Sequence, residues 1–356
     1  MSTQESGCIS IGGRVIGPGR PAYIVAEVSA NHGQRFEDAV ALVKAAAAAG
    51  VDAVKLQTYT ADTLTLDSDQ EHFRIGASTL WAGRTLYDLY REAYTPWEWH
   101  AELQRVAEAC GVALFSTPFD RTAVDFLEEL AMPAHKIASF ELVDLDLVGY
   151  AASTGKPLIM STGMASLEEI DQAVEVARAQ GAEEIALLKC TSAYPSQPSE
   201  MNLRTIPDLA EQFGCPVGLS DHTLGTSVPV AAVSLGACLI EKHICLSRAV
   251  PGPDSAFSLE PDEFTALVRD VRQTEAALGG ISYGPGERER ASLAFRRSLF
   301  AVKDIRAGER FTRDNIRSIR PAAGLPPRHL PEILGRPASR DLRRGTPLSW
   351  EHVGPQ

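Results

Sequence analysis

The sequence predicts a (β/α)8 barrel followed by a small β-rich domain, on three observations. From Tyr23 to about Gly280, short apolar β-rich runs alternate with amphipathic helical runs through eight β-then-α units. No G-x-G-x-x-G follows the first strand, which weighs against the nucleotide-binding form of an open doubly wound sheet. After Gly280 the texture changes to short strands interrupted by many Pro and Gly.

The expected strands are Tyr23–Ser29, Ala53–Thr58, Ala113–Thr117, His135–Ser139, Pro157–Thr162, Ile185–Thr191, Pro216–Ser220 and Leu239–Ile244. Between them, apolar residues recur at three- and four-residue spacings over Phe36–Ala49, Pro96–Cys110, Ala123–Leu130, Leu167–Gln180 and Ser227–Gly236, the pattern of helices with one buried face. Gly50, Gly111 and Gly181 close helical runs where a left-handed residue is needed, and Ser166 with Glu169 forms a capping-box pattern. The segment Tyr59 to Tyr94 is long and contains Asp62, Trp81 and Arg84; after the second strand of a barrel it lies on the functional face, as a lid would. The domain expectation is a barrel over residues 1–280, an arm over 281–297 and a small domain over 298–356. So small a domain is marginal alone, so docking on the barrel or on a second subunit is expected.

The composition excludes several classes of function. The chain has 356 residues, 44% of them apolar and 22% charged, with a formal net charge of −12. That supports a sizeable core and shows no clustered basic face for nucleic acid. No apolar run approaches a membrane span of about 20 residues, and the N-terminus lacks the apolar stretch of a signal peptide. The six cysteines are scattered without C-x-x-C, as expected of reduced thiols in a cytoplasmic protein. An anionic substrate must therefore be captured by local donors, against the overall field.

The barrel supplies such donors. Its strand ends carry Glu27, Ser29, Asn31 and His32; Lys55 and Gln57; Ser116 and Thr117; Lys136, Ser139 and Glu141. They continue with Ser161 and Thr162; Lys189, Thr191, Ser192 and Tyr194; Ser220, Asp221 and His222; and Glu241, Lys242 and His243. All converge on one mouth. Lysines with hydroxyls suit a phosphate and a carboxylate, and His222 and His243 on adjacent strands suit one divalent metal.

At these residues the chain resembles the sialic acid synthase family throughout its length. The resemblance is carried by A-E-V-S-A-N-H (26–32), V-K-L-Q-T (54–58), F-S-T-P-F-D (115–120), K-I-A-S-F-E (136–141) and S-T-G-M (161–164). It continues in K-C-T-S-A-Y-P (189–195), G-L-S-D-H-T (218–223), E-K-H-I (241–244) and G-P-D-S-A-F-S-L-E-P (252–261). The segment with S-I-R-P-A-A-G-L (318–325) looks like the antifreeze-like (SAF) module that ends these synthases. Within the family, S-A-N-H and the run 79–99 are most similar to the pseudaminate branch; sialate and legionaminate synthases more often read G-x-N-H.

The resemblance implies condensation of phosphoenolpyruvate with an amino-sugar aldose. Phosphoenolpyruvate would meet Lys55, Thr117, Lys136, Ser139, Ser161, Ser192 and Ser220. Mn or Mg would sit on His222 and His243, and Glu27 or Glu141 would steer or deprotonate a water. The sugar would contact Gln57, Tyr194 and Asp254, with Arg320 arriving from a partner chain in a homodimer with exchanged C-terminal domains. The chain departs from the family at N-H-G-Q, where N-H-N-G is common, and at Ala322, where Gly is common. Two rivals come from other classes: a Schiff-base aldolase using Lys189, and a non-catalytic sugar-phosphate binding protein.

Overall fold

The computed structural model describes residues 7–76 and 79–355. The chain divides into two compact units at Gly279/Gly280. The first opens with an antiparallel hairpin, β1 (Ile9–Ile11) and β2 (Arg14–Ile16). Eight parallel strands follow: β3 (Tyr23–Glu27), β4 (Ala53–Thr58), β5 (Ala113–Pro118), β6 (His135–Ile137), β7 (Leu158–Ser161), β8 (Ile185–Cys190), β9 (Val217–Asp221) and β10 (Leu239–His243). β10 pairs with β3 from Leu239↔Tyr23 to His243↔Glu27, which closes the barrel.

The barrel strands are buried on both faces, as a parallel sheet under helices requires. Ile24, Val54, Leu114, Ile137, Met160, Leu187, Leu219 and Ile240 point outward into the core shared with the helices. Their neighbours in sequence, Tyr23, Val25, Ala53, Phe115, Ile159, Leu188 and Leu239, fill the interior. The hairpin β1–β2, which the strand reading did not anticipate, packs Ile9, Ile11 and Ile16 against that interior cluster. The lower barrel is therefore a solid core, and the open end lies at the strand C-termini.

Several elements are shorter than their sequence patterns. β3 stops at Glu27 because Ser29 adopts φ 46° and starts a 3-10 turn through His32. The run Pro96–Cys110 splits into a 3-10 turn, Trp97–Trp99, and a helix, His100–Ala109. The helix Leu167–Ala179 begins in the reciprocal cap, with Glu169 N–H donating to Ser166 Oγ at 3.2 Å and Ser166 N–H to Glu169 Oε2 at 2.7 Å.

The second unit has its own core of Leu299, Ile305, Phe311, Ile316, Ile333, Leu342 and Leu348. It is built on the antiparallel pair β11 (Ser298–Ala301) and β12 (Ile316–Ile319) with isolated bridges such as Ile305↔Leu342. A short 3-10 helix, Arg290–Phe295, precedes it. Past β12, Ser298 Oγ donates to Pro321 O at 2.7 Å and accepts the N–H groups of Ala323 and Gly324 at 3.2 and 2.9 Å. Ala322 is not among the positive-φ residues, so a Cβ in place of the family glycine adds no backbone strain there.

Candidate active site

The two-residue period of each strand decides which strand-end residues reach the interior. Along the inward phase, apolar residues give way to polar ones toward the open end. Val25 is followed by Glu27, Ala53 by Lys55 and Gln57, Phe115 by Thr117, Ile159 by Ser161, and Leu239 by Glu241 and His243. Contacts within the barrel show the convergence, and those of Lys55 and Lys136 with Glu241 join strands that are not neighbours. Lys55 Nζ lies 2.7 Å from Glu27 Oε2 and 3.7 Å from Glu241 Oε1, and donates to Thr117 Oγ1 at 3.1 Å. Lys136, across the barrel on β6, reaches the same Glu241 Oε1 at 3.4 Å. Ser220 Oγ donates to that oxygen at 3.3 Å.

This buried floor holds two lysines against two carboxylates. Burial penalises every charge, yet Glu241 faces both ammonium groups and is held below the usual carboxylate range. Glu27 faces one, and burial raises it. Burial also works against Lys55, but Glu241 and Glu27 outweigh it and raise its pKa; Lys136 has less compensation and is lowered.

Beside the floor, hydroxyls crowd the backbone after β7. Ser139 Oγ accepts Gly163 N–H at 3.0 Å. A Cβ on Gly163 would lie 2.3 Å from Ser192 Oγ and 2.7 Å from Ser139 Oγ, so any larger residue here would turn these hydroxyls out of their present positions. Ser161 Oγ is buried with no hydrogen-bond partner, a donor available to a ligand.

A cavity of about 510 Å³ opens at the mouth. Its polar lining includes Ser29, Gln57, Glu141, Tyr194, His243 and Asp254. Gln57 Nε2 donates to Glu27 Oε1 at 2.9 Å and Ser29 Oγ at 2.8 Å, and Ser29 Oγ donates to Asp254 Oδ2 at 2.5 Å. This chain fixes Gln57 between floor and cavity. Glu141 Oε2 is buried without a partner, and burial pushes the carboxyl up to about 7.

His222 and His243 have ring centroids 5.4 Å apart, and the His222 ring lies 4.5 Å from that of Tyr194. His222 Nδ1 sits 3.0 Å from Thr191 O; burial works against a charge on this ring, but the Cys190 thiol and that carbonyl outweigh it and raise its pKa. His243 Nδ1 is buried with no partner, and burial together with His222 holds His243 well below its ordinary pKa. A neutral imidazole with an orphaned nitrogen fits a divalent metal. Among the described residues no group of three His, Cys, Asp or Glu is placed to hold a metal, so substrate or water oxygens would complete the shell.

Other strand-end residues fall on the opposite phase. Lys189 follows the inward Leu188, and its Nζ donates to Cys190 O at 2.6 Å and Thr191 Oγ1 at 3.3 Å. That orientation removes it from the interior a Schiff-base lysine would occupy. Lys242 and Asp221 form a fully buried pair at 2.5 Å outside the inward set. Arg320 is an exposed residue of the second unit.

Two interior residues carried no role in the sequence reading. Glu241 shares the inward phase with His243, a signal that the register supplies. Cys190 is one of the scattered cysteines; burial pushes it up, but the hydrogen bond and charge of His222, with Ser139 and Lys136, together outweigh this and bring it to about 7.

A closed parallel barrel with two lysines on a buried floor, beside a hydroxyl cluster and a histidine pair, has the form of a barrel enzyme whose site suits an anionic substrate. The chain belongs to the NeuB family, whose model matches residues 42–283, and an SAF domain matches residues 296–354. It is 45% identical to a pseudaminic acid synthase of Campylobacter jejuni over 92% of this chain and 96% of that protein. It is also 45% identical to a pseudaminic acid synthase of Helicobacter pylori over 94% of this chain and 98% of that one. Among solved structures, an N-acetylneuraminic acid synthetase of Leptospira borgpetersenii in complex with citrate superposes with a TM-score of 0.72 at 29% identity, covering 82% of this chain and 97% of that one.

Proposed function

We propose that this protein condenses phosphoenolpyruvate with 2,4-diacetamido-2,4,6-trideoxy-L-altrose and water, giving the nine-carbon acid pseudaminate and phosphate by C–O cleavage. The observation that carries the reading is the floor: Lys55 and Lys136 share Glu241 beside the partnerless hydroxyl of Ser161. A phosphate and a carboxylate on one small molecule match two ammonium groups and the donors Thr117, Ser139, Ser161, Ser192 and Ser220. The pseudaminic acid synthases it resembles supply the choice of sugar.

C3 of phosphoenolpyruvate attacks the aldehyde carbon, leaving positive charge at C2. His222 and His243 would hold Mn or Mg, which when bound would supply a Lewis acid for the aldehyde oxygen. Water then adds to C2, and the C–O bond to phosphate breaks. Glu141 takes the water's proton: its carboxyl, raised to about 7, is poised to exchange one near neutral pH. Glu27, paired with Lys55, orients that lysine instead. Gln57, Tyr194 and Asp254 bind the sugar.

Arg320 completes the sugar site from the partner in a homodimer with exchanged C-terminal domains. In support, residues 280–356 carry 15 Lys and Arg against 8 Asp and Glu, whereas the whole chain carries −12. Ile281 and Tyr283 are 95% and 96% exposed, apolar surface that a second copy would cover. No described helix is long and apolar enough to cross a membrane, and all six cysteines are free. A cytoplasmic enzyme accords with both.

The test is phosphate release from phosphoenolpyruvate with Mn, offering the trideoxy-altrose, N-acetylmannosamine or no sugar, with and without EDTA. Release needing metal and the altrose, with a nine-carbon product, is the expected result. Release only with N-acetylmannosamine would replace the sugar, and none with any sugar would overturn the synthase reading.

A further inference from the structure

The mouth cavity has a side that the chemistry above does not use. It is built by a single excursion of the chain between β4 and the helix His100–Ala109, and it is largely apolar: Leu64, Ile75, Leu86 and Leu89, backed by Phe119, with Tyr59, Thr79, Trp81 and Tyr90 of the same excursion beside them. Leu86, Leu89 and Ala93 recur at three- and four-residue spacings on the helix Leu86–Ala93, so one helical face is presented to the cavity. The excursion is also fastened down. Trp81 Nε1 donates to Pro253 O at 2.9 Å, and Gln34 Nε2 donates to Glu92 O at 3.1 Å and to Tyr94 O. His32 meets Thr95 Oγ1 at 3.2 Å. Gln34 is one of the positions where the chain departs from its family, and here its side chain anchors the end of the wall.

We infer that this wall is a specificity-determining subsite for the far end of the acceptor sugar, taking a deoxygenated terminal carbon and the methyl of a neighbouring acetamido group. The inference rests on the proposed function. The aldehyde carbon must face the lysine floor and the histidines to react, so the opposite end of the sugar points outward, toward the excursion. A methyl there removes apolar surface from water. A hydroxyl set against Leu64, Ile75, Leu86 and Leu89 is desolvated by side chains that offer it no hydrogen bond, so it is accepted only where it reaches Tyr59, Thr79 or Tyr90.

The experiment uses full-length enzyme with Mn and phosphoenolpyruvate, and two acceptor aldoses of identical stereochemistry: the 2,4-diacetamido-2,4,6-trideoxy sugar and its 6-hydroxy counterpart. The parent is expected to prefer the deoxy sugar by roughly 10- to 100-fold in kcat/KM, the range an apolar pocket achieves. Leu86→Asn should cut that preference by about fivefold or more, through loss with the deoxy sugar, while leaving the KM for phosphoenolpyruvate within about twofold. Leu86→Met, which keeps the apolar volume, should retain it. Leu64→Asn, on a separate short helix, reads the same subsite if Leu86→Asn fails to fold. An unchanged preference in the Asn variants, or an equal loss with both sugars and phosphoenolpyruvate, overturns the subsite while the synthase reading stands. A parent that turns over no aldose overturns both.

Discussion

Replacing Glu141 by Gln separates the cost of this carboxyl to the fold from its use in the reaction. Burial holds it at about 7, against an ordinary 4.5, with one oxygen partnerless. Because the folded protein keeps the proton longer than the unfolded chain, stability falls as pH rises from about 4.5 to about 7 and stays lower above it. The difference amounts to about 3 kcal/mol at most, reduced by whatever solvent reaches the mouth. Glu141→Gln has no charged form, so it should match the parent near pH 4 and be the more stable protein at pH 8, by up to a few degrees in Tm. As the base, the parent carboxyl must be ionised, so the rate should rise about tenfold per pH unit below 7 and level off above it. The variant should lose roughly 10²- to 10⁴-fold in kcat and lose that limb from its residual activity. Phosphate-release profiles from pH 5.5 to 9 and thermal melts at pH 5 and 8 provide the assay. A variant that keeps the parent's rate and limb would transfer the role to Glu27, and a stability difference that is flat with pH would refute the raised carboxyl.

Three further outcomes follow from the geometry. Gly163→Ala drives a Cβ into the hydroxyls of Ser139 and Ser192, so the KM for phosphoenolpyruvate should rise at least tenfold (about 1.4 kcal/mol) in a protein whose circular dichroism is unchanged. Lys55→Ala strands Glu27 beside Glu241 in a buried floor and should destabilise by about 3–5 kcal/mol in urea titration. Pairing it with Glu27→Gln should recover part of that loss. Arg320→Ala should raise the KM for the sugar but not for phosphoenolpyruvate. Mixed and refolded with Glu141→Gln, it should regain roughly a quarter of parent activity, because half the dimers are mixed and each of those holds one intact site. No recovery on mixing would place Arg320 within its own subunit's site.

Periodicity alone made the barrel legible, since parallel strands buried on both faces read as apolar runs between amphipathic helices. Most of the polar ring was legible too, because strand ends in such a barrel must converge. Composition, however, does not say which of two adjacent polar residues turns inward. Lys189 and Cys190 are neighbours, yet the thiol stands in the site and the amine outside it, because Leu188 fixes the phase. Glu27 and Glu141 looked equivalent in the sequence. They differ because Lys55 Nζ folds to 2.7 Å from one, whereas the other keeps a buried, partnerless oxygen and feels Lys136 only as a weaker electrostatic neighbour. The apolar wall was invisible, since Leu64, Ile75, Leu86 and Leu89 look like ordinary helix and loop residues until the excursion is pinned over the mouth. Local chemistry and period thus determined the architecture and the inventory of reactive groups. Pairing, phase and exposure were decided by the fold, because each depends on contacts between residues far apart in the chain.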